Sequence, residues 1–280
     1  MSEQFPNASR LTEYFDFERT YRRHDFPAPW KALATTSGTA AEDADVDYDA
    51  IPTRDEMDAD PECGPAISLI DEPHAIALPE IYEPGYAYPL IVWFHGNGAT
   101  EDELFDVLPM ISERNYLAVA LRGSLPQDDG ARWSTSIGGT LEVARRVEEV
   151  VRGMREKFNV NPERVYLAGM GTGGTTALEV MLERPEAFAG AACLCGEFPT
   201  VDKPLARFRG LRGRRLLLAT TYSCPDVKVL DIVNSGRMLY AAGMQVGTRI
   251  YQQSGDVAKE KMFRDIDHWI MGGIQTALHA

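Results

Sequence analysis

The segment Val165-Tyr166-Leu167-Ala168-Gly169-Met170-Gly171-Thr172-Gly173-Gly174-Thr175-Thr176-Ala177-Leu178 decides the fold. Its first four residues are apolar on both alternating faces, the pattern of a strand covered from both sides. Four glycines follow within the six positions 169–174, a turn that lets backbone segments approach closely. Thr175–Leu182 then resumes with helix-forming composition. Strand, glycine turn and helix in this order form the repeating unit of a parallel sheet, and such sheets bind ligands at the carboxyl ends of their strands.

The same rhythm extends outward from this unit. Leu90–Phe94, Leu117–Leu121, Val165–Gly169, Gly190–Cys195, Leu216–Thr220 and Val246–Tyr251 read as strands. Thr100 and Glu103 are spaced as a capping box that opens a helix through Glu113. Val143, Val147, Val150, Val151, Met154 and Phe158 mark one helical face. Further helices are expected over Thr175–Leu182, near 228–242, and over the stretch carrying Met262, Phe263, Ile266, Trp269, Ile270 and Ile274. The fold class is therefore α/β: a mostly parallel central sheet with helices on both faces. It occupies residues 65–280, preceded by a helical extension over 1–31 and an acidic linker over 32–64.

The chain has 280 residues and a formal net charge of −14. Residues 42–62 hold ten acidic residues against Arg54 alone, which accounts for −9 of that total. Self-repulsion and low hydrophobicity make this run a linker or loosely attached tail. Its alternating Asp residues do not make a calcium loop, because Tyr48 stands at the required glycine and Arg54 at the required glutamate. The acidity argues against nucleic acid or an anionic membrane as partner. No apolar run approaches the roughly 20 residues of a membrane span. Met1-Ser2-Glu3-Gln4-Phe5-Pro6 lacks the basic start of a secretory leader, so a cytoplasmic location is expected. Cys63, Cys193, Cys195 and Cys224 include no C-x-x-C pair and read as thiols in a reducing compartment. No metal or other cofactor is expected. A small anionic or carbonyl ligand is expected at the site, and residues 1–62 offer a surface for a protein partner. Arg207, Arg209, Arg212, Arg214 and Arg215 could meet the acidic run or an acidic partner, or form a solvated helix end.

Gly169, Gly171 and Gly174 satisfy G-x-G-x-x-G, with Glu197 near the place of a ribose-binding acid. Against a dinucleotide site, the turn lies mid-chain rather than in a first strand–helix unit. It also lacks the Lys-Ser/Thr of a phosphate loop. The better match is the strand-to-helix turn G-x-S-x-G. With it, Ile76–Pro79, Tyr86–Gly96, Asn161–Gly169 and Thr221–Asp226 resemble, in order and spacing, the phospholipase/carboxylesterase branch of the α/β-hydrolase family. The resemblance covers most of residues 76–272.

That resemblance implies an ester hydrolase with a Ser-Asp-His triad. The residues that should carry it are degenerate here. Gly171 stands at the nucleophile position and has no side chain to attack a carbonyl. Asp226, or Cys224 beside Pro225, stands at the acid position. Asp256, or Gly255 by the alternative count, stands where the base histidine belongs. Of the five histidines, His95 belongs to the turn after Leu90–Phe94, and His268 lies inside the last helix. His24, His74 and His279 lie in the extension, the leading segment and the C-terminal end. Without a placed imidazole, proton transfer at a hydroxyl loses its usual agent.

The oxyanion machinery reads as more intact. By resemblance, its donors are the backbone amides of Asn97 and Thr172, in a site formed with Gly96 and Trp133. The expected function is a non-catalytic relative of carboxylesterases that binds a small ligand or a protein. The alternatives are an ester or thioester hydrolase using displaced residues such as Ser124, Ser134, Thr172 or His268, and a purely structural interaction protein.

Overall fold

A computed structural model describes residues 33–34 and 69–278, apart from 128, 135 and 200–205. The helix expected within 1–31 and most of the acidic linker lie outside the described residues, as do Cys63, His24 and His279.

Among the described residues, eight strands form one sheet. They are β1 (Leu33–Ala34), β2 (His74–Ala77), β3 (Tyr88–Phe94), β4 (Leu117–Leu121), β7 (Val160–Met170), β8 (Gly190–Leu194), β9 (Arg215–Thr221) and β10 (Gln245–Tyr251). Between β4 and β7, β5 (Leu125–Gln127) and β6 (Gly130–Arg132) pair as a separate hairpin. The sheet order is β1-β2-β4-β3-β7-β8-β9-β10. The β1–β2 and β2–β4 pairings are antiparallel, and every other pairing is parallel.

Apolar runs make this sheet because each strand is covered twice. Leu90, Val92 and Phe94 of β3 face one apolar layer, and Ile91 and Trp93 face the other. The first layer contains α2 (Ile137–Lys157), α3 (Thr172–Glu183) and α5 (Val229–Ala241), through Val143, Val147, Met154, Ala177, Met181 and Leu239. The second contains α1 (Glu103–Ile111) and α6 (Gly255–Leu278), through Leu104, Leu108, Phe263, Ile266 and Ile270. A short α4 (Phe208–Leu211) precedes β9. The α/β reading of the sequence stands.

Several boundaries differ from the sequence reading: β7 begins at Val160, α1 ends at Ile111 and α3 begins at Thr172. The strand expected over 190–195 stops at Leu194, because Cys195 turns into the left-handed region (φ 49°). The capping box also takes another form. Thr100 Oγ1 accepts from the amide of Asp102 (3.3 Å), while the Glu103 carboxylate bonds a glycine outside the helix.

The α2–α3 contact contains a buried acid. Thr140 Oγ1 donates to Glu179 Oε2 at 3.1 Å. Burial pushes the Glu179 carboxyl above its ordinary range, and the threonine bond opposes this only in part. In the window between the unfolded and the raised folded value, the native state holds a proton that the unfolded chain has released. Stability from this group therefore falls as pH rises through that window. Glu179→Gln keeps the acceptor and removes the ionisation. Urea titrations should show it matching wild type near pH 4 and exceeding it near pH 8. Leu167, fully buried in β7, gives a second expectation. Leu167→Ala should lower the unfolding free energy by about 2–5 kcal/mol. The same denaturation experiment should show Val246→Ala, on the half-covered edge strand β10, losing no more than about 1 kcal/mol.

Candidate active site

Strands β3 and β7 are parallel neighbours, with Phe94 opposite Gly169. From β3 the chain moves outward to β4, and from β7 it moves the other way to β8. The turns leaving β3 and β7 therefore diverge, and a crevice opens between them at the carboxyl edge. His95-Gly96-Asn97-Gly98 forms one wall, and Gly171 with the start of α3 forms the other.

Gly171 has φ 57° and ψ −125°, a conformation that side-chain-bearing residues rarely adopt. Its N–H donates to Leu194 O (2.8 Å), and its carbonyl accepts from the amide of Thr175 (3.1 Å). A Cβ added at Gly171 would meet nothing within 4 Å. The flanking glycines are different. A Cβ at Gly173 would lie 2.0 Å from Phe94 O, and one at Gly169 would lie 2.5 Å from the Gly173 carbonyl group. Positions 169 and 173 thus exclude side chains, whereas position 171 has the space for one and does not use it.

On the opposite wall, the Gly96 N–H donates to Glu103 Oε2 at 2.9 Å. The Gly96 amide therefore holds the turn onto α1. Gly98 N–H donates to Ala131 O at 3.0 Å. The amides of Asn97 and Thr172 take no partner among the described residues. Across the crevice, Thr172 Oγ1 donates to Asn97 Oδ1 at 3.0 Å. The two donors expected from the resemblance therefore sit on side-by-side residues.

His95 is fully buried. Its Nε2 accepts from the amide of Gly123 (2.9 Å), which places the ring proton on Nδ1, facing Gly96 O at 2.7 Å. Burial lowers its pKa, and the Gly96 carbonyl opposes this. Both ring nitrogens serve the architecture and neither is free to act as a base. Trp133 Nε1 donates to His95 O (2.9 Å), and its ring packs on that of His95 with centroids 5.0 Å apart. At 3% exposure, Trp133 packs against the turn and holds it through its indole N–H. Behind it, Arg122 holds Glu101 through two bonds of 2.6 and 2.7 Å, and buried Arg146 donates to Arg122 O at 2.8 Å. Glu103, Glu101 and Arg122 are the supports the sequence reading missed. Only the charge of these residues, placed next to the glycine turns, hinted at them.

The other triad-equivalent positions follow the carboxyl ends of β9 and β10. Asp226 is exposed in the turn after β9, and Cys224 is half-buried against the core. Asp256 lies in the first turn of α6 with a fully exposed carboxylate, 3.8 Å from Lys259 Nζ. His268 is on the same helix, largely exposed and 3.6 Å from Asp265. Ser124 is exposed, and the Ser134 hydroxyl lies 3.1 Å from that of Ser136. Neither His95 nor His268 bonds any of these hydroxyls. The arginine cluster is divided among internal contacts: Arg207 pairs with Glu183 (2.7 Å), Arg214 donates to Phe188 O (3.1 Å), and Arg215 lies over Trp269 (4.8 Å). Among the described residues, no three His, Cys, Asp or Glu come together to hold a metal, and no helix is long and apolar enough to cross a membrane.

No family model matches the chain. A curated protein of Nocardia uniformis subsp. tsuyamanensis, "Putative esterase NocK", is 30% identical over 144 residues, which is 48% of this chain and 39% of that protein. The chain thus spans about two fifths of the length of that relative. Among solved structures, a carboxylesterase from Mesorhizobium loti is similar with a TM-score of 0.56 at 20% identity, covering 71% of this chain and 94% of that one. SOBER1 of Arabidopsis thaliana gives 0.57 at 19% identity, over 66% and 98% of the two chains. A carboxylesterase from Bacillus cereus gives 0.55 at 15% identity, over 70% and 93%. Sheet order, the glycine turn after β7 and these likenesses together give the chain the α/β-hydrolase fold of the esterases.

Proposed function

We propose that this chain is a non-catalytic relative of the carboxylesterases that binds a small carbonyl-bearing or anionic ligand at the crevice between the two turns. The observation that carries this reading is Gly171. It has the backbone conformation of a nucleophile turn and open space for a hydroxyl, and it has no side chain. Beside it, the amides of Asn97 and Thr172 take no partner among the described residues, and as a pair of donors they support binding of a ligand oxygen. Attack on an ester needs a nucleophile and a base to take its proton. Position 171 supplies no nucleophile, and the Asp256 carboxylate points to solvent.

Hydrolysis of p-nitrophenyl acetate tests the reading. Wild type should turn over at the uncatalysed rate. Gly171→Ser should restore little, and Gly171→Ser with Asp256→His should exceed the single variant. Wild-type turnover well above background, abolished by heat denaturation, would overturn the proposal. Binding is tested separately by 15N-resolved NMR during an acetate titration. The Asn97 and Thr172 amides should shift and saturate, while an unchanged spectrum would remove the ligand-binding half of the reading.

The glycines give a stability expectation of their own. Gly171→Ala introduces only backbone strain, about 1–3 kcal/mol. Gly173→Ala adds a clash with the Phe94 carbonyl and should cost more or prevent folding. Thermal unfolding of the two variants should rank them in that order.

A further inference from the structure

Two cysteines are not used by the ligand-binding reading above. Cys195 directly follows β8 and is the only non-glycine residue at positive φ among the described residues (φ 49°). Its amide donates to Ala219 O of β9 at 2.7 Å, which fixes it beside the carboxyl end of that strand. Three residues past the end of β9, the chain folds back: the amide of Cys224 donates to Thr221 O at 3.3 Å. The left-handed turn and the fold-back bring both residues to the carboxyl end of β9, where Cys224 and Thr220 are among the groups that interact with the Cys195 thiol. Both cysteines are free and half-buried, whereas Cys193, two residues earlier on β8, is fully buried.

We propose that Cys195 and Cys224 are a dithiol that a hydroperoxide converts to a reversible disulfide, tying the end of β8 to the turn that carries Asp226. The steps balance with hydrogen peroxide as the oxidant. One sulfur attacks a peroxide oxygen, the O–O bond breaks, and water leaves with the thiol proton, giving a sulfenic acid. The neighbouring sulfur attacks that sulfur, the S–O bond breaks, and a second water leaves. Two thiols lose two protons and two electrons in all, and one peroxide becomes two waters. Burial holds the Cys195 thiol at about 11, so this sulfur carries little thiolate at neutral pH and reacts slowly with mild oxidants. Once one sulfur is oxidised, proximity favours the second over an external thiol.

The full-length protein is treated with hydrogen peroxide, quenched with N-ethylmaleimide and digested without reductant for mass spectrometry. The expected product is a Cys195–Cys224 linked peptide, lighter by two hydrogens than the two free peptides together and released by dithiothreitol. The oxidised protein should melt about 5–10 °C higher than the reduced one. Cys195→Ser and Cys224→Ser should each lose the link and the shift. Cys63→Ser leaves the pair untouched and should retain both, so the test holds even where a rim variant folds poorly. Recovery of both thiols as maleimide adducts or as separate sulfinic acids would overturn the proposal. A link from either cysteine to Cys63 or Cys193 would also overturn it.

Discussion

The close approach of α3 to the end of β3 is the constraint on which the rest of the molecule depends. The backbone of Gly173 passes so near the Phe94 carbonyl that no side chain could stand there, and Gly169 is equally confined. This contact seats the start of α3 over the seam between β3 and β7. The same seam sets the direction of the two diverging turns. Thr172 and Asn97 meet, Oγ1 to Oδ1 at 3.0 Å, because their strands are neighbours and the glycines let the two turns come together. A sheet of the same order with a bulkier residue at 173 would hold these elements apart.

A second shell of polar contacts keeps the His95–Gly98 turn in place. Glu103 takes the Gly96 amide, Gly123 and Gly96 occupy both nitrogens of His95, and Trp133 takes the His95 carbonyl. Each is a buried or half-buried polar group with a partner, so the turn is held without a bound ligand. Such rigidity suits a site that presents fixed donors to an oxygen atom, whether or not chemistry follows.

Much of this was legible in the amino-acid order, and the exceptions have physical reasons. Continuous apolar runs such as Leu90–Phe94 report a strand covered on both faces, and the glycines at 169–174 report the turn that follows. The order of elements and the place of the crevice follow from those two signals. What was not legible depended on contacts distant in sequence. Glu103 and Thr100 have the spacing of a capping box, but a glycine amide seven residues back competes for the carboxylate and wins. Cys195 looks like one more apolar strand residue, yet the chain must turn there. Trp133 reads as a pocket aromatic, and only its neighbours show that its indole N–H holds the turn. The empty position at Gly171 was plain from sequence, whereas the open space around it needed the surrounding backbone.

The conformation of Gly171 also gives the site a direction of change. A serine at this place would have to hold a strained backbone, at about 1–3 kcal/mol, out of a total stability of roughly 5–15 kcal/mol for a typical domain. Glycine removes that load without disturbing a neighbour, because nothing lies within reach of the missing Cβ. On the proposed non-catalytic reading, change here is not symmetric: a serine at 171 would bring the strain at once, but would gain reactivity only with an imidazole at the far rim. On that reading the position is a ratchet, easy to enter by one substitution and hard to leave by one.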